Sequence, residues 1–154
     1  MGSDIHWIDL HVAGRLAIMA RPRAGDWLED EIAGWRAAGI DIVVSLLEPA
    51  EIAELGLEPE SGLCREYGIE LISFPIRDRG VPPSASEAAA LARDLAAQIA
   101  AGKAVAVHCR AGIGRSSVIA ACVMVSAGTE PHAAFDIIAA ARGTHVPDTD
   151  EQRD

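Results

Sequence analysis

Short apolar runs alternate with helix-like patterns along the whole chain, and this alternation limits the fold more than any other feature. Ile42 to Leu47 and Ala104 to Val107 are continuous apolar runs, typical of strands that are buried on both faces. Between them, Ser84 to Gly102 carries an apolar stripe at helical spacing. Strands that alternate with helices form βαβ units on a parallel sheet. The sequence therefore predicts an α/β fold with a mostly parallel central sheet flanked by helices.

Individual elements follow from local signals. His6 to Leu10 and Arg15 to Met19 are predicted to pair as strands at the sheet edge, and Glu70 to Phe74 is a further strand. Asp26 and Ser84, each followed three residues later by glutamate, predict capped helix starts. Later helices are predicted over Ser116 to Ala127 and Glu130 to Arg142.

Length and charge limit the organisation and the partners. The 154 residues suit a single domain over 1–154, which we expect to be a monomer. Thirteen basic and 23 acidic residues give a net charge of -10, so we expect neither nucleic acid nor a membrane as a partner. An anionic substrate would need a local positive patch, whereas the surplus acidic residues are predicted to form a solvated face.

The cysteines indicate a reducing environment. Cys64, Cys109 and Cys122 are odd in number and lack CxxC spacing, which argues against a disulfide framework and against a zinc site. No apolar run has the length of a membrane span, and the N-terminus lacks the pattern of a signal peptide. We therefore expect a cytoplasmic protein, and we predict no metal and no cofactor.

The segment from His108 to Ser117, His-Cys-Arg-Ala-Gly-Ile-Gly-Arg-Ser-Ser, lies between a predicted strand and a predicted helix. Backbone amides of a glycine-bearing loop, together with a helix N-terminus, form a binding site for anions. Helix N-termini and nearby cations also lower the pKa of thiols. We therefore expect Cys109 to be a reactive thiolate at the base of this loop.

The same segment carries the pattern H-C-x5-R-[ST] and resembles the cysteine-based protein tyrosine phosphatase superfamily, in its compact, dual-specificity-like branch. The resemblance implies a general-acid aspartate on a separate loop about 30 residues upstream, and Asp78 precedes Cys109 by 31 positions. Asp78 lies within Pro75-Ile-Arg-Asp-Arg-Gly-Val-Pro-Pro83, whose prolines and glycine predict a loop. The order of strands and helices is similar over nearly the whole chain.

The resemblance also implies a role for each residue. Cys109 attacks phosphorus, Asp78 protonates the leaving oxygen and later activates water, and Arg115 binds the phosphoryl group. Ser116 would donate a hydrogen bond to the sulfur, and His108 would organise the loop. The predicted phosphate-binding residues are Arg110, Ala111, Gly112, Ile113, Gly114 and Arg115. Gln152 could orient the hydrolytic water.

These roles predict a phosphomonoester hydrolase, a protein-tyrosine or dual-specificity-type phosphatase that acts through a cysteinyl-phosphate intermediate. Its substrate would be a protein carrying phosphotyrosine or phosphoserine/threonine, or a small phosphoester. The alternative is a phosphate-binding module that recognises phosphorylated partners without turnover. A sulfur-transferring or arsenate-reducing enzyme is a third possibility, although low-molecular-weight phosphatases and related reductases carry C-x5-R close to the N-terminus.

Cys64 and four arginines allow two further predictions. Cys64 could form a disulfide with oxidised Cys109, as in some redox-regulated phosphatases. The positive patch could consist of Arg77 and Arg79 with Arg110 and Arg115.

Overall fold

A computed structural model describes residues 5–8, 13–77, 84–110 and 114–142. Within these ranges strands and helices alternate as predicted. The strands are β1 (Ile5–Ile8), β2 (Arg15–Met19), β3 (Ile42–Ser45), β4 (Glu70–Ser73) and β5 (Ala104–His108). The helices are α1 (Leu28–Ala37), α2 (Pro49–Leu55), α3 (Glu60–Glu66), α4 (Ala85–Ala100), α5 (Gly114–Ser126) and α6 (Pro131–Arg142).

The described strands form one sheet in the order β1-β2-β5-β3-β4. The pairs β2-β5, β5-β3 and β3-β4 are parallel, and β1 runs antiparallel to β2 at the edge. The predicted mostly parallel sheet and its edge pair are therefore confirmed, although residues 9 and 10 of the predicted first strand lie outside the described residues. Because β5 is central, the segment that follows it emerges where the carboxyl ends of four parallel strands meet.

The core is divided by the sheet into two clusters. Side chains alternate along a strand, so Leu16 and Ile18 of β2 enter one cluster whereas Ala17 and Met19 enter the other. The first cluster includes buried residues of α4, α5 and α6, and we call its side of the sheet the first face. The second cluster includes residues of α1 and α3 and lies on the second face.

Of the two predicted helix caps, the one at Ser84 is confirmed and the one at Asp26 is wrong. The Ser84 side chain accepts a hydrogen bond from the Glu87 amide at 3.2 Å, as expected for an N-cap. The cap predicted at Asp26 is wrong, because Gly25–Trp27 forms a 3-10 turn and α1 begins at Leu28 without a side-chain cap. Gly25 has a φ of 66°, which allows this extra turn before the helix.

α5 begins earlier than the sequence predicts. Its first residue is Gly114 rather than Ser116, so that Arg115 and Ser116 lie in the first helical turn. No helix in the described part of the chain is both long and apolar enough to span a bilayer.

Candidate active site

The predicted phosphate loop begins where the central strand ends. β5 finishes at His108, Cys109 and Arg110 follow, and the chain enters α5 at Gly114. Ala111, Gly112 and Ile113 lie outside the described residues, as do Asp78 and Gln152. The described site therefore consists of the two ends of the loop and the side chains packed against them.

Cys109 and Ser116 are both buried at these ends. Cys109 is 2% exposed and belongs to the cluster on the first face, and Ser116 is fully buried. The Ser116 Oγ makes no hydrogen bond to any described group. Buried hydroxyl groups usually make a hydrogen bond, and a hydrogen bond from Ser116 to the loop or to a bound anion would provide one.

Arg115 is the largest polar side chain buried at the site. Its Nη1 and Nη2 donate to the two carboxylate oxygens of Glu51 at 2.6 and 3.0 Å. The side chains are only 1% and 9% exposed, so this is a buried, bidentate ion pair. Nη1 also donates to the Ile76 carbonyl at 2.9 Å. Arg115 thereby connects α5 to α2 and to the segment that runs toward residue 78.

The charge state of Glu51 follows from these contacts. Burial opposes ionisation of the carboxyl group, but hydrogen bonds from Arg115 and from the Glu48 amide stabilise the anion. The positive charges of Arg115 and Arg110 act in the same direction, and the net effect holds the pKa of Glu51 below its ordinary value. Glu51 is therefore a carboxylate at neutral pH and fixes the orientation of the guanidinium.

Arg110 is held by the same helix but in a more exposed position. Its Nη2 donates to Glu54 at 3.2 Å, with side-chain exposures of 40% and 65%. Its carbonyl accepts a hydrogen bond from the Arg21 amide at 3.3 Å. Residues three apart on a helix share a face, so Glu51 and Glu54 present two carboxylates to the two loop arginines.

The predicted positive patch is therefore largely neutralised where it is described. Arg110 and Arg115 each form an ion pair with a glutamate of α2. Arg77 is exposed, and Arg79 lies outside the described residues.

His108 is fully buried on the second face, under the start of the loop. Its Nε2 lies 2.7 Å from a carboxylate oxygen of Glu60, the first residue of α3, whose side chain is 4% exposed. Its Nδ1 lies 3.4 Å from the Cys109 carbonyl oxygen. The ring also stacks at a tilt near Trp35, with ring centroids 6.1 Å apart. Both ring nitrogens thus face oxygen atoms.

Cys64 lies on the second face, whereas Cys109 lies on the first. Burial, assisted by the negative charge of Glu60, raises the pKa of Cys64 to about 12. A protonated thiol is a poor nucleophile, so this placement disfavours the disulfide between Cys64 and Cys109 that the sequence left open. Among the described residues, no disulfide joins any of the three cysteines.

Sequence reasoning missed three buried carboxylates, two of which, Glu51 and Glu60, contact residues of the site. Glu31, Glu51 and Glu60 are buried, with exposures of 2%, 7% and 3%, and each is bound to a basic side chain. The prediction that the acidic surplus forms a solvated face is wrong for these three. The available signal for Glu51 was its place three residues after Glu48 and two residues after Pro49, a capping box at the carboxyl edge of β3.

The comparisons with known proteins agree with this arrangement. A family model described as "Polymorphic toxin system, DSP-PTPase phosphatase" matches residues 17–129, which extend from β2 past the end of α5. The chain belongs to this phosphatase family. The predicted resemblance to the dual-specificity-like protein tyrosine phosphatases is thereby confirmed.

Several named proteins resemble this phosphatase. Protein tyrosine phosphatase domain-containing protein 1 of Danio rerio is 36% identical over 129 residues, 77% of this chain and 17% of that protein. The chain thus spans about a sixth of the length of this curated relative. The crystal structure of Tk-PTP in the active form is 28% identical, has a TM-score of 0.75 and covers 96% of this chain and 90% of its own.

More distant structures share the fold. Kinase associated phosphatase with a substituted catalytic-site cysteine has a TM-score of 0.90 at 20% identity, covering 99% of this chain and 91% of that chain. PTPMT1 in complex with PI(5)P has a TM-score of 0.70 at 22% identity, covering 97% and 89%. P. aeruginosa TpbA in complex with pTyr has a TM-score of 0.56 at 18% identity, covering 96% and 94%.

Proposed function

We propose that this chain is a phosphomonoester hydrolase that acts through a cysteinyl-phosphate intermediate on phosphotyrosine or phosphoserine/threonine of proteins. The observation that carries the proposal is the arrangement of Cys109 at the end of the central strand with Arg115 and Ser116 in the first turn of α5. Family membership supports it, and so does the phosphotyrosine in the complex with TpbA.

In this mechanism the Cys109 thiolate attacks phosphorus, the P–O bond to the leaving group breaks, and Asp78 gives its proton to the departing oxygen. Water then attacks the cysteinyl-phosphate, Asp78 takes a proton from the water, and the S–P bond breaks to return the thiolate. Ser116 donates a hydrogen bond to the departing sulfur. Arg110 and the backbone of residues 111–114 bind phosphoryl oxygens.

Arg115 needs a refinement of the predicted role. The Nη1/Nη2 end of the guanidinium binds Glu51, so in our proposal the phosphoryl group is bound by the side edge, made of Nε and Nη2. This edge presents two parallel N–H groups, which match two oxygens of a phosphoryl group. The bond from Nη1 to the Ile76 carbonyl supports the placement of Asp78, two residues further on, close to the leaving group.

The test is hydrolysis of para-nitrophenyl phosphate in the presence of a chelator. We expect turnover in the wild type, background rates in Cys109→Ser, and a fall of about 100- to 10,000-fold in Asp78→Asn, as general acids typically contribute. Cys122→Ser, a partly buried thiol of α5 outside the motif, is the matched control and should keep wild-type activity.

Full activity in Cys109→Ser, or turnover that requires a metal, would contradict the proposal. Binding of phosphotyrosine without any release of phenol would instead favour the phosphate-binding module. A panel of phosphotyrosine, phosphoserine, phosphoinositide and nucleotide substrates would then rank the substrate classes. The cytoplasmic location, the monomeric state and the exclusion of nucleic acid and membrane partners stay predictions.

A further inference from the structure

The buried contact between Glu60 and His108 has no part in the predicted chemistry. Both side chains are almost completely inaccessible, and their N···O distance is 2.7 Å. A buried carboxylate is costly unless it is paired, so a specific interaction must compensate for its burial. Glu60 is the first residue of α3 and lies 48 positions before His108 in the sequence.

Oxygen atoms face both nitrogens of the His108 ring. The Cys109 carbonyl can only accept a hydrogen bond, so the Nδ1 that faces it at 3.4 Å must donate. The Nε2 faces a carboxylate oxygen at 2.7 Å. Both contacts are hydrogen bonds at once when the ring carries a proton on each nitrogen and Glu60 carries the balancing negative charge.

This arrangement also orients the first peptide of the loop. In a trans peptide the carbonyl of residue 109 and the amide N–H of residue 110 point in opposite directions. A hydrogen bond from His108 on the second face therefore directs the Arg110 amide away from that face. The Cys109 side chain belongs to the first face, so the amide and the sulfur are directed to the same side.

We propose that Glu60 is a positioning residue for the phosphatase reaction: it holds His108 as an imidazolium, and His108 in turn fixes the Cys109 peptide and favours the thiolate. The inference rests on the proposed function. The contacts of the ring are with the Glu60 carboxylate, the Cys109 carbonyl and Trp35. Cys64, which feels the charge of Glu60 on the same helix, is a neutral thiol. Arg115 with Glu51 forms the other buried pair that borders the loop.

The test compares Glu60→Gln with Glu58→Gln, an exposed glutamate two residues earlier. The amide of Glu60→Gln can pair with Nε2 as acceptor or donor but cannot balance the charge of an imidazolium, so we expect a neutral ring with a single N–H donor. We expect kcat/KM to fall about 10- to 100-fold, the usual cost of a misplaced catalytic group. Glu58→Gln should match the wild type.

A second measurement, the pH at which the Cys109 thiolate forms, distinguishes the proposal from a merely structural role of Glu60. The pH at which the Cys109 thiolate forms is followed by ultraviolet thiolate absorbance, with the Cys109→Ser derivative of each protein subtracted. We expect Glu60→Gln to move thiolate formation to higher pH, because a nearby cation is lost. A move to lower pH, or none, would overturn the proposal, since removal of a negative charge alone favours the thiolate.

Two controls keep the outcomes distinct. Nitrogen NMR of the wild-type protein, with His108→Asn used for assignment, should show both ring nitrogens of His108 protonated at neutral pH, and a neutral ring would refute the inference even if Glu60→Gln failed to fold. In the His108→Asn background, Glu60→Gln should cause no further loss of kcat/KM. Absence of turnover in the wild type would count against the proposed function, whereas the titration and the NMR test Glu60 without turnover.

Discussion

Removal of Glu51 should expose how strongly the fold depends on the charge of Arg115. The carboxylate makes two hydrogen bonds to a guanidinium whose side chain is 1% exposed. Breaking a buried ion pair from one side leaves an uncompensated charge and typically costs about 3 to 5 kcal/mol. For a chain of 154 residues, each kcal/mol shifts the melting temperature by about 2 to 4 °C. We expect Glu51→Ala to lower Tm by roughly 6 to 20 °C.

Two further variants calibrate this loss. Glu51→Gln keeps the shape and one acceptor but loses charge-assisted hydrogen bonds, so we expect about 1.5 to 3 kcal/mol. Glu54→Gln, on the same helix, removes an exposed ion pair and should cost less than about 1 kcal/mol. Thermal unfolding followed by circular dichroism at neutral pH measures all three.

The stability that this ion pair contributes changes with pH in a definite direction. The pKa of Glu51 is lower in the folded chain than its ordinary value of 4.5, so the pair stabilises the fold fully above that pH. The contribution disappears as the pH falls through the lowered folded value. The difference in stability between wild type and Glu51→Gln should therefore shrink on acidification. If Glu51→Ala melts within the range of Glu54→Gln, the buried pair does not stabilise the protein and our reading of Arg115 is wrong.

Two other predictions concern the thiols and the sheet. Because the pKa of Cys64 is raised to about 12, iodoacetamide at pH near 8 should leave Cys64 unmodified in the native protein and alkylate it in the denatured protein. Peptide mass spectrometry measures the modification, and rapid alkylation of Cys64 in the native protein would contradict the prediction. A Cβ at Gly14 would overlap the backbone carbonyls of Ile99 and Lys103, so Gly14→Ala should cost about 1 to 3 kcal/mol in thermal unfolding. Gly34→Ala, which meets nothing within 4 Å in α1, is its control and should be neutral or stabilising.

Much of the fold could be predicted from the sequence, because short local patterns determine its strands and helix ends. Continuous apolar runs identified β3 and β5, and glycines such as Gly102 and Gly128 with positive φ marked helix ends. The start of α1 was predicted wrongly. An Asp26 cap requires a helix that begins at Trp27, but Asp26 and Trp27 lie in the 3-10 turn and α1 begins at Leu28. Local patterns do not determine which of two short-range structures the packing selects.

The site could be predicted only in part, because some of its residues are far apart in the sequence. The motif identified His108, Cys109 and Arg115 because they are close in sequence. Glu51 and Glu60 contact them from 64 and 48 positions away, and no period or spacing encodes such contacts. A single sequence gives the charge of a glutamate but not whether tertiary structure buries it beside a base.

The two carboxylates of α2 have a consequence for how a substrate arrives. Each cancels the field of one arginine at distances beyond a few ångströms, and the whole chain carries a charge of -10. If the proposed function holds, a phosphate dianion in bulk solvent is therefore not attracted over a long distance, and we expect capture to begin on contact, when N–H groups of the loop replace its hydration shell. The rate of association with such an enzyme would depend on diffusion and on shape. A phosphorylated partner that also binds another part of the surface would have the largest increase in association rate.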